Sequence, residues 1–183
     1  MKFKDYVKFK DMEEFFNKRT NYHIGLVTKY ANKIADLYPE FDELRDIVKS
    51  HDESKFEEPE YTPYIHITWS YHDDNYIIPP DIKPLTTQAT EHHVKHNKHH
   101  PEYWSPQEGV INPEDRDAPR ELIFAQDMPL IYIAEMVADW CAVSEERGTH
   151  PKDWADMNIG TRWDFTKDQS GLIYKLINSV FEE

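Results

Sequence analysis

Apolar residues recur along much of this chain at steps of three and four positions, which is the pattern of an amphipathic α-helix. The first such stripe is formed by Ile24, Val27, Ala31, Ile34 and Leu37. It predicts a helix over residues 11–38 that ends at Pro39, because proline lacks the N–H that would continue the helix. The same pattern predicts further helices over residues 42–56, 86–100, 127–147 and 166–182. Gly148 is the expected C-terminal cap of the helix over 127–147.

The segment 57–90 interrupts this pattern because it is dense in proline and aromatic residues. The prolines are Pro59, Pro63, Pro79, Pro80 and Pro84, and the aromatic residues include Tyr61, Tyr64, Trp69, Tyr71 and Tyr76. They predict a long ordered loop that contains a hairpin or a short helical turn. A second proline-rich connection is predicted over 101–119. Since helical stripes dominate and strand patterns are weak, we expect an all-α fold, a helical bundle with one long loop.

Length, charge and cysteine content restrict the class of protein. A chain of 183 residues predicts one domain over 1–183. The net charge of −14 disfavours a long nucleic acid as partner, although a small nucleotide held at a metal ion is compatible with it. One cysteine fits a reducing compartment, and the sequence contains neither a bilayer-spanning run nor a secretory signal. We therefore expect a cytoplasmic protein without a membrane partner, as a monomer or an oligomer.

Half of the ten histidines lie in the stretch EHHVKHNKHH over residues 91–100. On a continuous helix, four of them share one face, at i, i+4, i+7 and i+8: His92, His96, His99 and His100. Imidazole is the commonest nitrogen ligand of protein-bound metals, so this face predicts a metal site. His96 and His100 are the first choices and His99 the next, although the spacing does not exclude His92 or His93. Pro101 disfavours a helical conformation at His100, which we expect at the helix end.

The pair His51–Asp52 is a second candidate, in the helix predicted over 42–56. His51 shares a face with Leu44, Ile47 and Val48. Its imidazole therefore points to the core, where a ring nitrogen needs a polar partner or a metal. Another such pair, His72–Asp73, lies in the predicted loop without helical context, and we expect no metal there.

Two further candidates lie on other helices. His23, on the first helix, is either a ligand or a core histidine with satisfied hydrogen bonds. Asp139 lies inside the apolar helix over 127–147, where a buried carboxylate is costly unless it is paired or binds a metal. Otherwise it belongs to an exposed polar face together with Glu135.

The order His23, His51–Asp52, Asp139 over residues 20–145 resembles the HD-domain superfamily of metal-dependent phosphohydrolases. This resemblance implies that these four residues converge on one metal ion in an all-helical bundle. The histidines between Asp52 and Asp139 resemble the binuclear branch, in which Asp52 would bridge to a second metal ion. That ion would be bound by His96 with one or two of His92, His99 and His100.

Smaller motifs extend the resemblance. In HDESK, Lys55 matches a lysine that follows the aspartate by three positions in one variant of the family. The stretches HDESK, HNKHHPEYW and EMVADW also look like a family of small uncharacterised phage and bacterial proteins. The stretch after His100 reads PEYWSPQEG rather than the GYP-type ending of the cyclic-dinucleotide phosphodiesterases, so that substrate is not assigned.

The resemblance implies hydrolysis of a nucleotide or another small phosphoester by metal-activated water. One or two divalent transition-metal ions, namely Mn, Ni, Co, Fe or Zn, suit the nitrogen and oxygen donors. Asp52 would act at the centre, Lys55 would neutralise charge on the phosphoryl oxygens, and Glu135 or Glu91 would orient ligands. The 57–90 loop would cover the site and stack a base. The alternatives are an HD-type diiron oxygenase and a non-catalytic binding module.

Overall fold

Helices make up most of the chain, which confirms the all-α fold class. The computed structural model describes residues 3–112 and 121–181, with side chains from residue 8 onward. The α-helices in this part are α1 (Phe3–Leu37), α2 (Leu44–Ile47), α3 (Tyr61–His72), α4 (Lys83–His96), α5 (Leu130–Arg147), α6 (Pro151–Asn158) and α7 (Lys167–Val180). Short 3-10 segments cover Pro39–Phe41, Val48–Ser50, Glu53–Phe56 and Pro101–Trp104. Two short parallel strands, β1 (Ile123–Phe124) and β2 (Trp163–Asp164), pair beside the helices.

The helices α1 and α5 pack against each other at the centre of the bundle. α5 is buried over most of its surface, and its other main partner is α7. One apolar cluster joins α1, α5 and α7, and a smaller one joins the N-terminal part of α1 to α3 and α4. Because α1 takes part in both clusters, it connects the two halves of the bundle.

The prediction of a loop over 57–90 is wrong for its first part, because α3 is a regular helix. Five consecutive residues of α3, from Tyr64 to Thr68, are buried. A helix buried on all sides has no polar face, so its sequence lacks the 3.6-residue period that identifies amphipathic helices. Pro63 lies in its first turn, where a missing N–H breaks no helical hydrogen bond.

The prediction of one helix over 42–56 is also wrong. α2 ends at Ile47, and a 3-10 segment continues to Ser50. His51 is then extended, with ψ 128°, and Asp52 is left-handed, with φ 59°. This sharp change of direction turns both side chains into the core, where they are 3 % and 1 % exposed.

The helix predicted over 86–100 covers Lys83–His96 instead, so His99 and His100 lie in the turn that follows it. His100 has an extended backbone, with φ −94° and ψ 132°. This confirms the expectation that Pro101 keeps it out of the helix. The cap at Gly148 is confirmed as well, since its φ of 65° is left-handed.

Other elements differ from the prediction in detail. The helices over 11–38, 127–147 and 166–182 are confirmed with small shifts of their ends, whereas α6 and the two strands were not predicted. Residues 113–119 of the connection predicted over 101–119 lie outside the described residues. No helix in the described ranges has both the length and the apolar character needed to cross a bilayer.

The N-terminus of α7 is closed by a capping box, which yields a stability prediction. The Thr166 hydroxyl accepts from the Gln169 N–H at 3.2 Å, and the Gln169 side chain accepts from the Thr166 N–H at 2.8 Å. We expect Thr166→Ala to lower the free energy of unfolding by about 1 kcal/mol, measured by urea denaturation. The control is Thr28→Ala, because that hydroxyl bonds only to Ile24 O of its own helix. A cost of the same size in both variants would contradict the capping role.

Candidate metal centre

Seven side chains from four parts of the fold converge in the interior, beside α1 and α5. They are His23 of α1, His51 and Asp52 at the break after α2, His93 of α4, His99 and His100 in the turn after α4, and Asp139 of α5. Their nitrogen and oxygen atoms form three overlapping groups, and within each group every atom lies within 4.8 Å of the others. The groups are His23, His51 and Asp139; His51, Asp52 and His99; and His93, His99 and His100.

The carboxylate of Asp52 lies between two sets of histidines. Its Oδ2 atom is 3.9 Å from His23 Nε2 and 3.8 Å from His51 Nε2. Its Oδ1 atom is 3.3 Å from His93 Nε2 and 3.7 Å from His99 Nε2. Each carboxylate oxygen therefore faces a different pair of ring nitrogens, which is the arrangement that a carboxylate bridging two metal ions requires.

Carboxylates outside the cluster hold three of these imidazoles by their second nitrogen. The pairs are His23 Nδ1 with Glu146 at 2.8 Å, His51 Nδ1 with Glu135 at 3.0 Å, and His93 Nδ1 with Glu60 at 2.8 Å. A ring that donates from Nδ1 keeps the lone pair of Nε2 for a metal ion, and such partners fix the tautomer and the ring orientation. Nε2 faces Asp52 in His51 and His93, whereas in His23 it lies 2.9 Å from Asp139 Oδ1 and 3.9 Å from Asp52 Oδ2.

Several buried atoms of the cluster lack an ordinary polar partner. His51 Nε2, Asp52 Oδ1 and His100 Nε2 make no hydrogen bond to the described part of the chain. A buried polar atom without a partner costs free energy, and cations bound within the cluster would satisfy these atoms. The mixed nitrogen and oxygen donors match the preferences of divalent transition metals. These buried histidines and aspartates can therefore hold a metal ion.

Neighbouring groups shift the pKa values of Asp52 and His23. Burial raises the pKa of Asp52, but the charges of Lys55 and His51 outweigh it and hold that pKa well below its usual range. Burial lowers the pKa of His23, but its hydrogen bonds to Asp139 and Glu146 raise it to about 9. A metal ion would therefore replace a proton at His23.

The pKa values of His100 and Glu135 are also shifted by burial and by neighbouring groups. Burial, together with the neighbouring histidines, keeps the pKa of His100 well below its usual value, so its ring is neutral and can bind a metal. Burial raises the pKa of Glu135, but hydrogen bonds from His51 and His99 outweigh this and lower it to about 2. Glu135 is therefore an ionised acceptor beside the two rings.

The structure brings most of the predicted ligands together but leaves His96 outside. His96 is exposed at the end of α4, where its ring stacks on His92 with centroids 3.7 Å apart. His92 bonds to Glu60 at 2.7 Å, and His93 occupies the position expected for His96. The predicted face assumed a helix that continues to residue 100. Because the helix ends at His96, the following turn brings His99 and His100 back over His93.

Lys55 and Glu135 lie beside the cluster, as expected. Lys55 Nζ donates to Asp52 Oδ2 at 2.5 Å, from the 3-10 segment rather than from a helix shared with His51. Glu91 is not a partner of the ligands, since its carboxylate accepts the backbone N–H groups of Gly109 and Ile111 at 3.0 and 3.1 Å.

Two other predictions can be compared with the positions of the side chains. The His72 ring stacks on Phe15 with centroids 4.1 Å apart and lies outside the cluster. Trp69 packs edge-on against Phe15 and does not line the cavity of the site, whereas Tyr71 does. Sequence reasoning missed Glu60 and Glu146, because single glutamates beside helix ends or in charged runs resemble solvated surface residues.

A cavity of about 530 Å³ opens onto the cluster. Its walls include six of the seven converging side chains, His51 being the exception, and they also carry four cationic side chains: Arg19, Lys55, Arg147 and Arg162. Tryptophans from three segments, Trp140, Trp154 and Trp163, form part of its apolar lining. The cavity is thus cationic and aromatic in a protein whose net charge is −14.

Comparison with known proteins places this site in a family without an assigned activity. A family model described as a family of unknown function (DUF5662) matches residues 12–179, which include every member of the cluster. No curated protein and no solved structure matches the chain. The chemistry therefore has to be argued from the residues themselves.

The contrast between His93 and His96 tests the geometry of the cluster. We expect His93→Ala to lower the number of transition-metal ions bound per chain, because it removes a ring directed at Asp52. His96→Ala is the matched control on the same helix and should leave the metal content unchanged. Mass spectrometry of untagged protein, purified in parallel, measures both. Loss of metal in His96→Ala alone would contradict the structure and favour the original helical-face interpretation.

Proposed function

We propose that this chain, which belongs to the DUF5662 family of unknown function, is a metal-dependent phosphohydrolase that acts on a small phosphorylated substrate. The observation that carries the proposal is the buried Asp52 carboxylate, whose two oxygens face two different sets of histidines at the wall of a cationic cavity. The order of these residues also resembles the HD-domain superfamily, which supports the same activity.

The residues divide into two ligand sets that share Asp52. The first set is His23, His51, Asp139 and Asp52 Oδ2, and the second is His93, His99, His100 and Asp52 Oδ1. Both sets combine imidazole and carboxylate donors, which suit Mn, Ni, Co, Fe or Zn. Divalent ions bound there would lower the pKa of a water molecule and polarise a phosphoryl oxygen.

The chain's own residues perform the remaining tasks. Glu60 and Glu135 hold His93 and His51 in the orientation that directs Nε2 inward. Burial lowers the pKa of Lys55, but the charge of Asp52 outweighs it and raises that pKa above its usual value. Lys55 therefore stays cationic at neutral pH, next to the centre, where it would neutralise charge on the phosphoryl oxygens.

The size and charge of the cavity favour a small anion over a polymer. A volume of about 530 Å³ lies within the range of small-molecule sites. The cationic side chains converge inside this cavity, whereas the chain as a whole carries 35 acidic and 21 basic residues. A long nucleic acid would be repelled by the acidic exterior, while a nucleotide or another small phosphoester can enter.

A diiron oxygenase is the second candidate, and it rests on the same ligands. The second set contains three imidazoles and one carboxylate oxygen, which also bind iron well. The two candidates differ in the metal and in the co-substrate. Iron at about two ions per chain, with oxygen consumption on a polyol or phosphonate, would replace the hydrolase proposal.

Lys55 provides the sharpest test of phosphoester hydrolysis. We expect Lys55→Ala to keep its metal ions but to lower kcat for p-nitrophenyl phosphate by about 100-fold, because a single electrostatic contact to the transition state is lost. Lys49→Ala is the control, since Lys49 is exposed and pairs only with Asp46 on the surface. Asp52→Asn should lose both metal and activity. Unchanged metal content and hydrolysis in Asp52→Asn would refute the mechanism.

Removal of the metal distinguishes the two enzyme hypotheses from the hypothesis of a non-catalytic binding module. A ligand that binds only the folded state raises stability, by about 4 kcal/mol at a free concentration about 1,000 times its Kd. We therefore expect a chelator to lower Tm in a thermal unfolding experiment, and added Mn to restore it. The same Tm with and without the chelator, and with added Mn, Ni or Fe, would leave a non-catalytic binding module as the better account.

A further inference from the structure

One face of α5 runs along the whole cavity. The residues of this face that line it are Met136, Asp139, Trp140, Val143, Ser144 and Arg147. Their spacing of three and four positions places them in one stripe. Asp139 belongs to the metal centre, and Arg147 lies eight residues further along, which corresponds to about 12 Å along the helix axis. The cavity thus reaches from the metal centre at least to the cationic side chain of Arg147.

Arg147 differs from the other cations of the cavity by lacking a carboxylate partner. The other three lie beside carboxylates: Lys55 beside Asp52 at 2.5 Å, Arg19 beside Glu146 at 3.0 Å, and Arg162 beside Glu102 at 3.5 Å. Arg147 has no ion pair or hydrogen bond to residues 3–112 or 121–181, and it is exposed to the solvent of the cavity mouth. Its guanidinium is therefore available to a ligand.

Part of the cavity wall is apolar. It includes Trp140 and Val143 of α5, Trp154 and Met157 of α6, and Trp163 of β2. A bare phosphate or pyrophosphate at the metal centre would leave this wall uncovered. A substrate with an organic body would cover it and gain apolar burial.

We infer that the substrate is a phosphomonoester whose organic body carries a second anionic group, which is bound by Arg147, about two helical turns beyond Asp139. This inference rests on the proposed function. A guanidinium can donate two parallel N–H hydrogen bonds either to a phosphate or to a carboxylate. The shared chemistry of the second group is thus a planar or tetrahedral oxyanion.

Asp153 also lines the cavity, six residues after Arg147. Its carboxylate repels a second anion and limits the affinity that Arg147 can provide. We therefore expect Asp153→Asn to bind a doubly anionic ligand more tightly than the wild type does, with no change for a ligand that has one anionic end.

Phosphonates of graded length test the inference without turnover, because their C–P bonds are not hydrolysed. The ligands are alkylphosphonates, alkane-α,ω-bisphosphonates and ω-carboxyalkylphosphonates, titrated calorimetrically into the Mn-loaded protein. At the chain length that spans the two ends, we expect the second anion to tighten binding by about tenfold. Comparison of the ω-carboxyalkylphosphonates with the bisphosphonates shows whether Arg147 prefers a carboxylate or a phosphonate.

Two substitutions that each remove one positive charge show whether the tighter binding of the second anion depends on Arg147. Arg147→Gln should abolish the advantage of the second anion, and Arg147→Lys should retain part of it. Lys152→Gln is the control, because Lys152 lies nearby, pairs with Asp156 and does not line the cavity. An equal advantage in Arg147→Gln, or none at any length in the wild type, would overturn the inference. If p-nitrophenyl phosphate is hydrolysed all the same, the proposed function survives that result.

Discussion

The buried carboxylate of Asp52 is the constraint on which the rest of this structure depends. It is 1 % exposed in the middle of a helical bundle, and an ionised group there is costly unless opposite charges or a metal surround it. Four elements supply those groups: α1, α4 with its following turn, α5 and the 3-10 segment that carries Lys55. The helices are thus arranged around one charge, and the apolar clusters lie on either side of it.

This constraint also explains the irregular backbone near Asp52. A continuous helix over 42–56 would place His51 and Asp52 about 100° apart around its axis, so that only one of them could face the centre. The extended His51 and the left-handed Asp52 turn both side chains inward. A left-handed aspartate is costly, and it persists because the ligands, Glu135 and Lys55 hold both side chains in place.

Sequence periodicity predicts a helix wherever one face of that helix is buried and the opposite face is exposed to solvent. α1 and α7 meet that condition, whereas α3 is buried on several sides and carries no such signal. For the site, residue chemistry indicates His23, His51, Asp52, His99, His100 and Asp139. It selects His96 over His93, because that choice depends on where α4 ends. The role of Glu60 can be recognised only from the three-dimensional structure, because it depends on contacts with residues more than thirty positions away.

The proposed chemistry links metal loading to substrate binding through the charge of the cavity. Four cations and three carboxylates line it: Arg19, Lys55, Arg147 and Arg162 against Asp52, Asp139 and Asp153. The cations exceed the carboxylates, but three of the cations already lie beside carboxylates, which moderates their attraction for a small anion. Divalent ions at Asp52 would make the same cavity strongly positive, while the exterior of a chain with net charge −14 stays acidic. Selectivity for small anions over polyanions would therefore increase with metal loading, because the interior becomes more positive while the exterior stays acidic.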